Sequence, residues 1–285
     1  MRLGVMMFPT DTAIQPVELG RAVEERGFES LWFPEHSHIP ASRETPWGGR
    51  ANAPPLPEHY WRTHDQLVAL AAVAATTSRI RLGTGITLVA QRDPIWLAKG
   101  VASLDTISGG RVLFGVGYGW NREEMGHHGV RYGERRAMLR EKVLALKALW
   151  TEEEASFHGE FVDFDASWSW PKPIQPGGPP IILGGAPGPR TLAHIVEFGD
   201  GWMPIRGRFD LVDGVAKLRA AAEEAGRDPA TIELGVFSGP RDPAELQRLA
   251  EVGYTRAVLS LPSRPADEVL PMLDDLAPLV AQLGG

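Results

Sequence analysis

"SLWFPEHSHIP", Ser30 to Pro40, begins as a strand and ends in a cluster of ionisable groups. Ser30 to Pro34 is apolar, aromatic and closed by proline, which reads as a core strand. Amphipathic helical patterns lie on either side of it, Pro16–Glu25 before and Asp65–Ala75 after. The same alternation runs along the chain. Further strands are expected at Leu3–Phe8, Ile80–Leu88, Val112–Tyr118, Ile181–Leu183, Gly201–Pro204, Glu233–Phe237 and Arg256–Leu261. Helical patterns at Ile95–Ile107, Gly133–Trp150 and Leu211–Ala225 fall between them. Asp242-Pro243 is a helix-start signal, and Gly27 and Gly226 stand where helices should stop. Eight strands, each followed by a helix, predict a closed (β/α)8 TIM barrel rather than an open doubly wound sheet.

Bulk composition agrees with one such barrel spanning residues 1–285. Hydrophobic residues make up 43% and charged residues 23%, ordinary for a globular chain. A formal charge of −7 gives no basic footprint for nucleic acid, and no apolar run is long enough for a membrane span. "MRLGVMMFPT" reaches Pro9 too early for a signal peptide, and cysteine is absent, so disulfides and thiolate chemistry are excluded. A cytoplasmic location is expected.

Two insertions interrupt the repeat, at about 37–62 and 152–180. The first follows the second strand on the face where barrels place their chemistry, and carries Trp47, Tyr60 and Trp61. It reads as a lid. The second contains the hairpin pattern "ASFHGEFVDF" and lies on the opposite side, as a structural element or a contact between subunits.

A second strand ending at Pro34 puts Glu35, His36 and His38 at the barrel mouth. His36 suits proton transfer near neutrality, with Glu35 orienting it or accepting a cofactor N–H. The bland alternative is a loop with solvated histidines. His36-x-His38 also matches metal-ligand spacing, but no convincing further ligands follow at other strand ends, His127, His128 and His158 included, so no metal is expected. Glycines at 83 and 85, then at 115, 117 and 119, leave space for a ligand or merely relieve crowding inside the barrel. "LGGAPGPR", Leu183 to Arg190, is a glycine turn entering a helix; its free N–H groups, with Arg190, favour a phosphate over a plain turn.

Together, "SRIRLGTGI", "ISGGRVLFGVGYGW" and "ILGGAPGPRTLAHIVEFGDGW" resemble the bacterial luciferase-like superfamily of flavin and deazaflavin barrels over about the first 205 residues. Glu35-His36 resembles the acid–histidine pair of the branch using coenzyme F420. That resemblance implies a cofactor ring against the third strand, over a cis peptide at Gly85–Ile86, flanked by Tyr118 and Trp120. It also implies a cofactor phosphate at Gly184, Gly185 and Ala186, His36 as general acid/base, a small-molecule substrate and a homodimer. Some relatives carry a catalytic acid or amide near Trp120, and this chain is read as lacking one. The rivals are an FMN-dependent monooxygenase fed by a separate reductase, a cofactor-binding protein without chemistry, and a metallohydrolase. Arg190, Arg206 and Arg208 tip the reading toward the deazaflavin, whose anionic tail is longer than that of FMN.

Overall fold

A computed structural model describes residues 1–283. Its strands are β1 Arg2–Met6, β2 Ser30–Phe33, β3 Arg81–Thr84, β4 Val112–Val116, β5 Ala155–His158, β6 Asp163–Ser167, β7 Ile181–Leu183, β8 Gly201–Trp202, β9 Glu233–Phe237 and β10 Arg256–Ser260. The helices are α1 Pro16–Glu25, α2 His59–Arg62, α3 Gln66–Ala74, α4 Pro94–Ser108, α5 Arg122–His127, α6 Arg135–Thr151, α7 Pro189–Phe198, α8 Leu211–Glu224, α9 Pro243–Val252 and α10 Ala266–Leu283. Eight strands close in the order β1-β10-β9-β8-β7-β4-β3-β2, while β5 and β6 pair separately. Every barrel pairing is parallel, as in Val5 opposite Leu31 and, at the seam, Leu3 opposite Ala257. The closed (β/α)8 barrel expected from the repeat is the observed fold. Gly284 and Gly285 lie outside the described residues.

Strand alternation divides the core into two layers. Leu31 and Phe33 join Leu3, Val5, Leu82 and Phe114 in the layer under the helices. Trp32 points the other way, into the barrel, with Leu113, Ile182, Met203, Phe237 and Val258. Its indole N–H donates to Ser30 Oγ at 2.8 Å, and Phe237 meets it edge-on at 5.5 Å. Two strand glycines answer to this crowded interior, one to the Trp32 plug and one to backbone. A Cβ on Gly83 would stand 2.1 Å from the Trp32 ring, and one on Gly115 would stand 2.0 Å from the Thr84 carbonyl oxygen. At these positions crowding within the barrel, not ligand approach, explains the glycine.

Helix starts follow local chemistry. Asp65, Asp93, Asp210 and Asp242 each accept a backbone N–H of the first turn, and the last is followed by proline. Left-handed glycines Gly27 and Gly226, with φ of 78° and 72°, end α1 and α8. Several strands stop short of their patterns, β4 at Val116 among them. The third ends at Thr84 and leaves through a cis Gly85–Ile86 peptide, with Thr87 returning for one bridge to Val116. The sixth, β8, keeps only Gly201 and Trp202. The hairpin of the second insertion is held by α6: Glu141 accepts the N–H groups of Glu160, Phe161 and Val162 at 3.0, 2.5 and 2.6 Å.

Candidate active site

The C-terminal ends of the strands converge on a cavity of about 310 Å³. Gly85, Ile86 and Gly117 form part of its floor, with Glu35, His36, Tyr118, Trp120, Gly184 and Gly185 around it. From the lid come Trp47 and Tyr60. Trp61, expected beside them, turns outward and is half exposed. Of the expected phosphate group, Ala186 and Arg190 are exposed and do not line this cavity.

His36 sits at the centre of the polar chemistry. Its ring is buried, 5.1 Å from Tyr60 and 5.8 Å from Trp120, and its Nδ1 is 2.8 Å from Glu124 Oε2. Glu124 is wholly buried and also accepts the Ser37 N–H at 3.2 Å. It is delivered by α5, whose start is fixed by Asn121 accepting the Glu124 N–H at 3.3 Å. The sequence reading missed this acid and judged the region near Trp120 to have none. The signal was the "NREE" run after Trp120: one turn of helix places its fourth residue back beside the strand end.

Glu35 does not orient His36, the first of the two roles expected of it. Its carboxylate accepts the Leu88 N–H at 2.7 Å and pairs with the Arg92 guanidinium, which also bonds Asp65 at 2.9 Å. It therefore pins the segment after the cis peptide instead of orienting His36. Burial pushes its pKa above the ordinary carboxylate range, with Arg92 and the Leu88 N–H pulling against that rise. His38 diverges too. It bonds His127 Nδ1 at 2.8 Å on the rim, and Ser37 Oγ joins His38 and His128 there at 2.9 and 2.7 Å. Among the described residues no group of three or more His, Asp or Glu is placed to hold a metal ion.

The glycine turn leads into α7, whose N-cap Gly188 offers no side-chain cap and whose first position is Pro189. Gly185 has φ 122°, a backbone state that disfavours any side chain, and its nearest neighbour to a hypothetical Cβ is Tyr118 at 3.8 Å. Cations come from α6 instead of from Arg190. Arg136 stacks 4.1 Å over Tyr118 and donates to Thr191 Oγ1 at 3.1 Å. Arg135 Nε is buried without a partner. Burial pushes the Arg135 pKa down, an effect that Tyr132 opposes.

A closed parallel barrel, a cavity partly floored by glycine at its C-terminal mouth and a buried histidine–carboxylate pair beside that cavity give the arrangement of a barrel enzyme. The chain belongs to the luciferase-like monooxygenase family, whose sequence profile matches residues 7–260. It is similar to the uncharacterized protein Rv0953c of Mycobacterium tuberculosis, 42% identical over 285 residues and 99% of each chain. It is also similar to the F420-dependent hydroxymycolic acid dehydrogenase of that organism, 31% identical over 228 residues, 79% of this chain and 57% of the other. Among solved structures, monooxygenase RslO1 from Streptomyces bottropensis shares the fold at TM-score 0.81 and 21% identity, over 100% of both chains. An F420-dependent secondary alcohol dehydrogenase does so at TM-score 0.76 and 19% identity, over 99% of each.

Proposed function

We propose that the chain is a coenzyme F420-dependent oxidoreductase acting on a small organic substrate, working as a single barrel domain, with His36 as general acid/base. The observation that carries this is the His36–Glu124 pair, buried and facing a cavity whose far side is a glycine turn. The residues present fit the cofactor. Gly85 and Gly117 present backbone where a flat ring would lie, Tyr118 and Trp120 flank that space, and Arg135, whose Nε has no partner, lines the same cavity as Gly184 and Gly185 and suits an anion there. When bound, the deazaflavin supplies or accepts a hydride.

The protein's own contribution is a proton and its placement. Glu124 holds Nδ1, so Nε2 is the nitrogen left to serve the cavity. From there His36 gives a proton to a developing alkoxide, amine or carbanion, or takes one from an alcohol in the reverse direction. Tyr60 and Trp120 fix the plane of the ring, and the lid residues Trp47 and Tyr60 keep water from the reacting carbon. Removing such a group costs about 10²- to 10⁴-fold in rate.

Titration with oxidised F420 and with FMN, followed by turnover of alcohols, aldehydes and enones, tests the reading. Tight F420 binding with His36→Ala impaired in turnover but not in binding is the expected result. Preference for FMN with oxygen consumption would move the chain to the monooxygenase reading. Normal turnover by His36→Ala would remove the assigned role.

The chain also pairs with a second copy of itself in this proposal. The second insertion lies along α4, fixed by Asp105 accepting the Ile174 and Gln175 N–H groups at 2.8 and 3.0 Å. That arrangement leaves Trp96, Ile107, Trp170 and Ile174 exposed on the outer face of the barrel, an apolar surface of the kind that subunit contacts cover.

A further inference from the structure

Beside the first cavity, on the β1, β8 and β10 side of the mouth, lies a second of about 810 Å³. The two share Met6, Phe8, Trp47, Tyr60, Ile205 and Arg208, so they form one continuous cleft. Five arginines line the second part, and three of them are already neutralised. Arg62 pairs with Asp11 and Glu58, Arg206 with Glu245, and Arg264 stands 3.9 Å from Glu268. Arg50 and Arg208 differ. Among the described residues neither takes part in an ion pair. They come from separate segments, the lid and the loop after β8, yet both converge on Gly48. A Cβ placed there would be 3.5 Å from Arg208 Nη2 and 3.9 Å from Arg50 Nε. Each segment turns through a left-handed glycine, Gly49 at φ 70° and Gly207 at φ 83°. Burial and then the Arg50 charge push the Arg208 pKa down, with Tyr60 as the group that offsets them.

Two arginine side chains that approach Gly48 from different segments, neither with a carboxylate partner, leave their donors free for an anion at the edge of the cleft. We infer that Arg50 and Arg208 form a clamp for a carboxylate or phosphate carried by the substrate at the end remote from its reacting carbon. The substrate class is then an apolar or aromatic body, lying against the wall made by Phe8, Trp47 and Tyr60, with an anionic terminus. This assignment rests on the oxidoreductase reading for the identity of the reacting end, but not for the anion site itself.

Calorimetry on the cofactor-free protein separates the two. Phenyl phosphate and benzyl alcohol serve as charged and neutral probes. In Arg50→Gln and in Arg208→Gln, phenyl phosphate is expected to bind about tenfold or more weakly, with benzyl alcohol unchanged. Arg206→Gln, whose cation already has Glu245, leaves both unaltered. Equal phenyl phosphate affinity in wild type and the double variant overturns the clamp. So does a loss confined to Arg136→Gln, which would place the anion at the glycine turn. F420 with and without its acidic tail completes the test. If Arg50→Gln and Arg208→Gln weaken only the tailed form, the clamp serves the cofactor and the substrate assignment fails. If no form of F420 binds while the phenyl phosphate result holds, it is the cofactor reading that fails.

Discussion

Glu124 acts on the proposed chemistry only through the imidazole it holds, which makes substitutions there informative. Glu124→Gln keeps an acceptor for Nδ1 but removes the charge that stabilises an imidazolium, so turnover should drop by about 10- to 100-fold with cofactor affinity unchanged. Glu124→Ala goes further. It strips partners from the His36 ring and the Ser37 N–H, and the cost should be about 1–3 kcal/mol in urea-melt stability. If Glu124→Gln turned over like wild type, the carboxylate would be ballast for α5 and nothing more. The sequence placed His36 correctly at the mouth because strand, proline and imidazole are contiguous. Its partner lies 88 residues away, and no local pattern links the two. Adjacency misled in the other direction: Glu35 touches His36 in sequence, yet neighbouring residues leave an extended chain on opposite sides, so its carboxylate went to Arg92.

Elements were legible where burial and chain direction are written into short patterns. All eight barrel strands and the hairpin are present, and α1 spans the expected Pro16–Glu25. The third strand ran short because an apolar run cannot reveal where the backbone stops pairing. Glycine patterning was ambiguous for a related reason: a ligand and a close protein neighbour leave the same mark in sequence. Gly115→Ala tests which one applies at β4. Its methyl would drive into the Thr84 carbonyl, backbone that cannot swing aside, and a loss of about 1–3 kcal/mol is expected. Gly126→Ala, with open space around it in α5, should instead stabilise by about 0.5–1 kcal/mol. Similar melting temperatures for the two variants would contradict this account. The barrel seam gives a pH prediction. Burial acts to raise the Glu29 pKa, but Arg256, bonded to both carboxylate oxygens at 2.7 and 2.9 Å, outweighs it and holds the pKa below the ordinary value. A folded-state pKa depressed in this way stabilises above the unfolded value of about 4.3, and the gain is lost as pH falls through the folded value. Urea midpoints should therefore decline on acidification below about pH 5, and Glu29→Gln should flatten that decline.

The whole molecule has two faces with different demands, and the division follows from barrel topology. Chemistry gathers at the strand C-termini, where loops can vary without unravelling the sheet. The outer wall is free to make contacts, and here it carries more apolar surface than a lone barrel needs to show. Trp96 is 77% exposed at the start of α4, and Trp170, Ile174 and Ile107 follow along the same side. The composition hinted at this only weakly: nine tryptophans in 285 residues say that large apolar groups are plentiful, not which ones the core leaves out. The deciding fact is tertiary. Lys99 holds the Trp170 carbonyl and Thr106 meets that of Lys172 at 3.5 Å, so the second insertion is laid against α4 instead of over the barrel mouth. Covering such a surface with a second copy takes it out of water, at about 25 cal/mol for each Å² of apolar area removed. Wild type should thus run as a dimer in light scattering at micromolar concentration. Trp96→Glu with Trp170→Glu should run as a folded monomer, because each charge would be stranded in the contact. F420 binding should survive in that monomer, since every residue proposed to hold the cofactor comes from one chain. A dimer that persists unchanged in the double variant would move the interface elsewhere, and a monomeric wild type would leave the exposed tryptophans without this explanation.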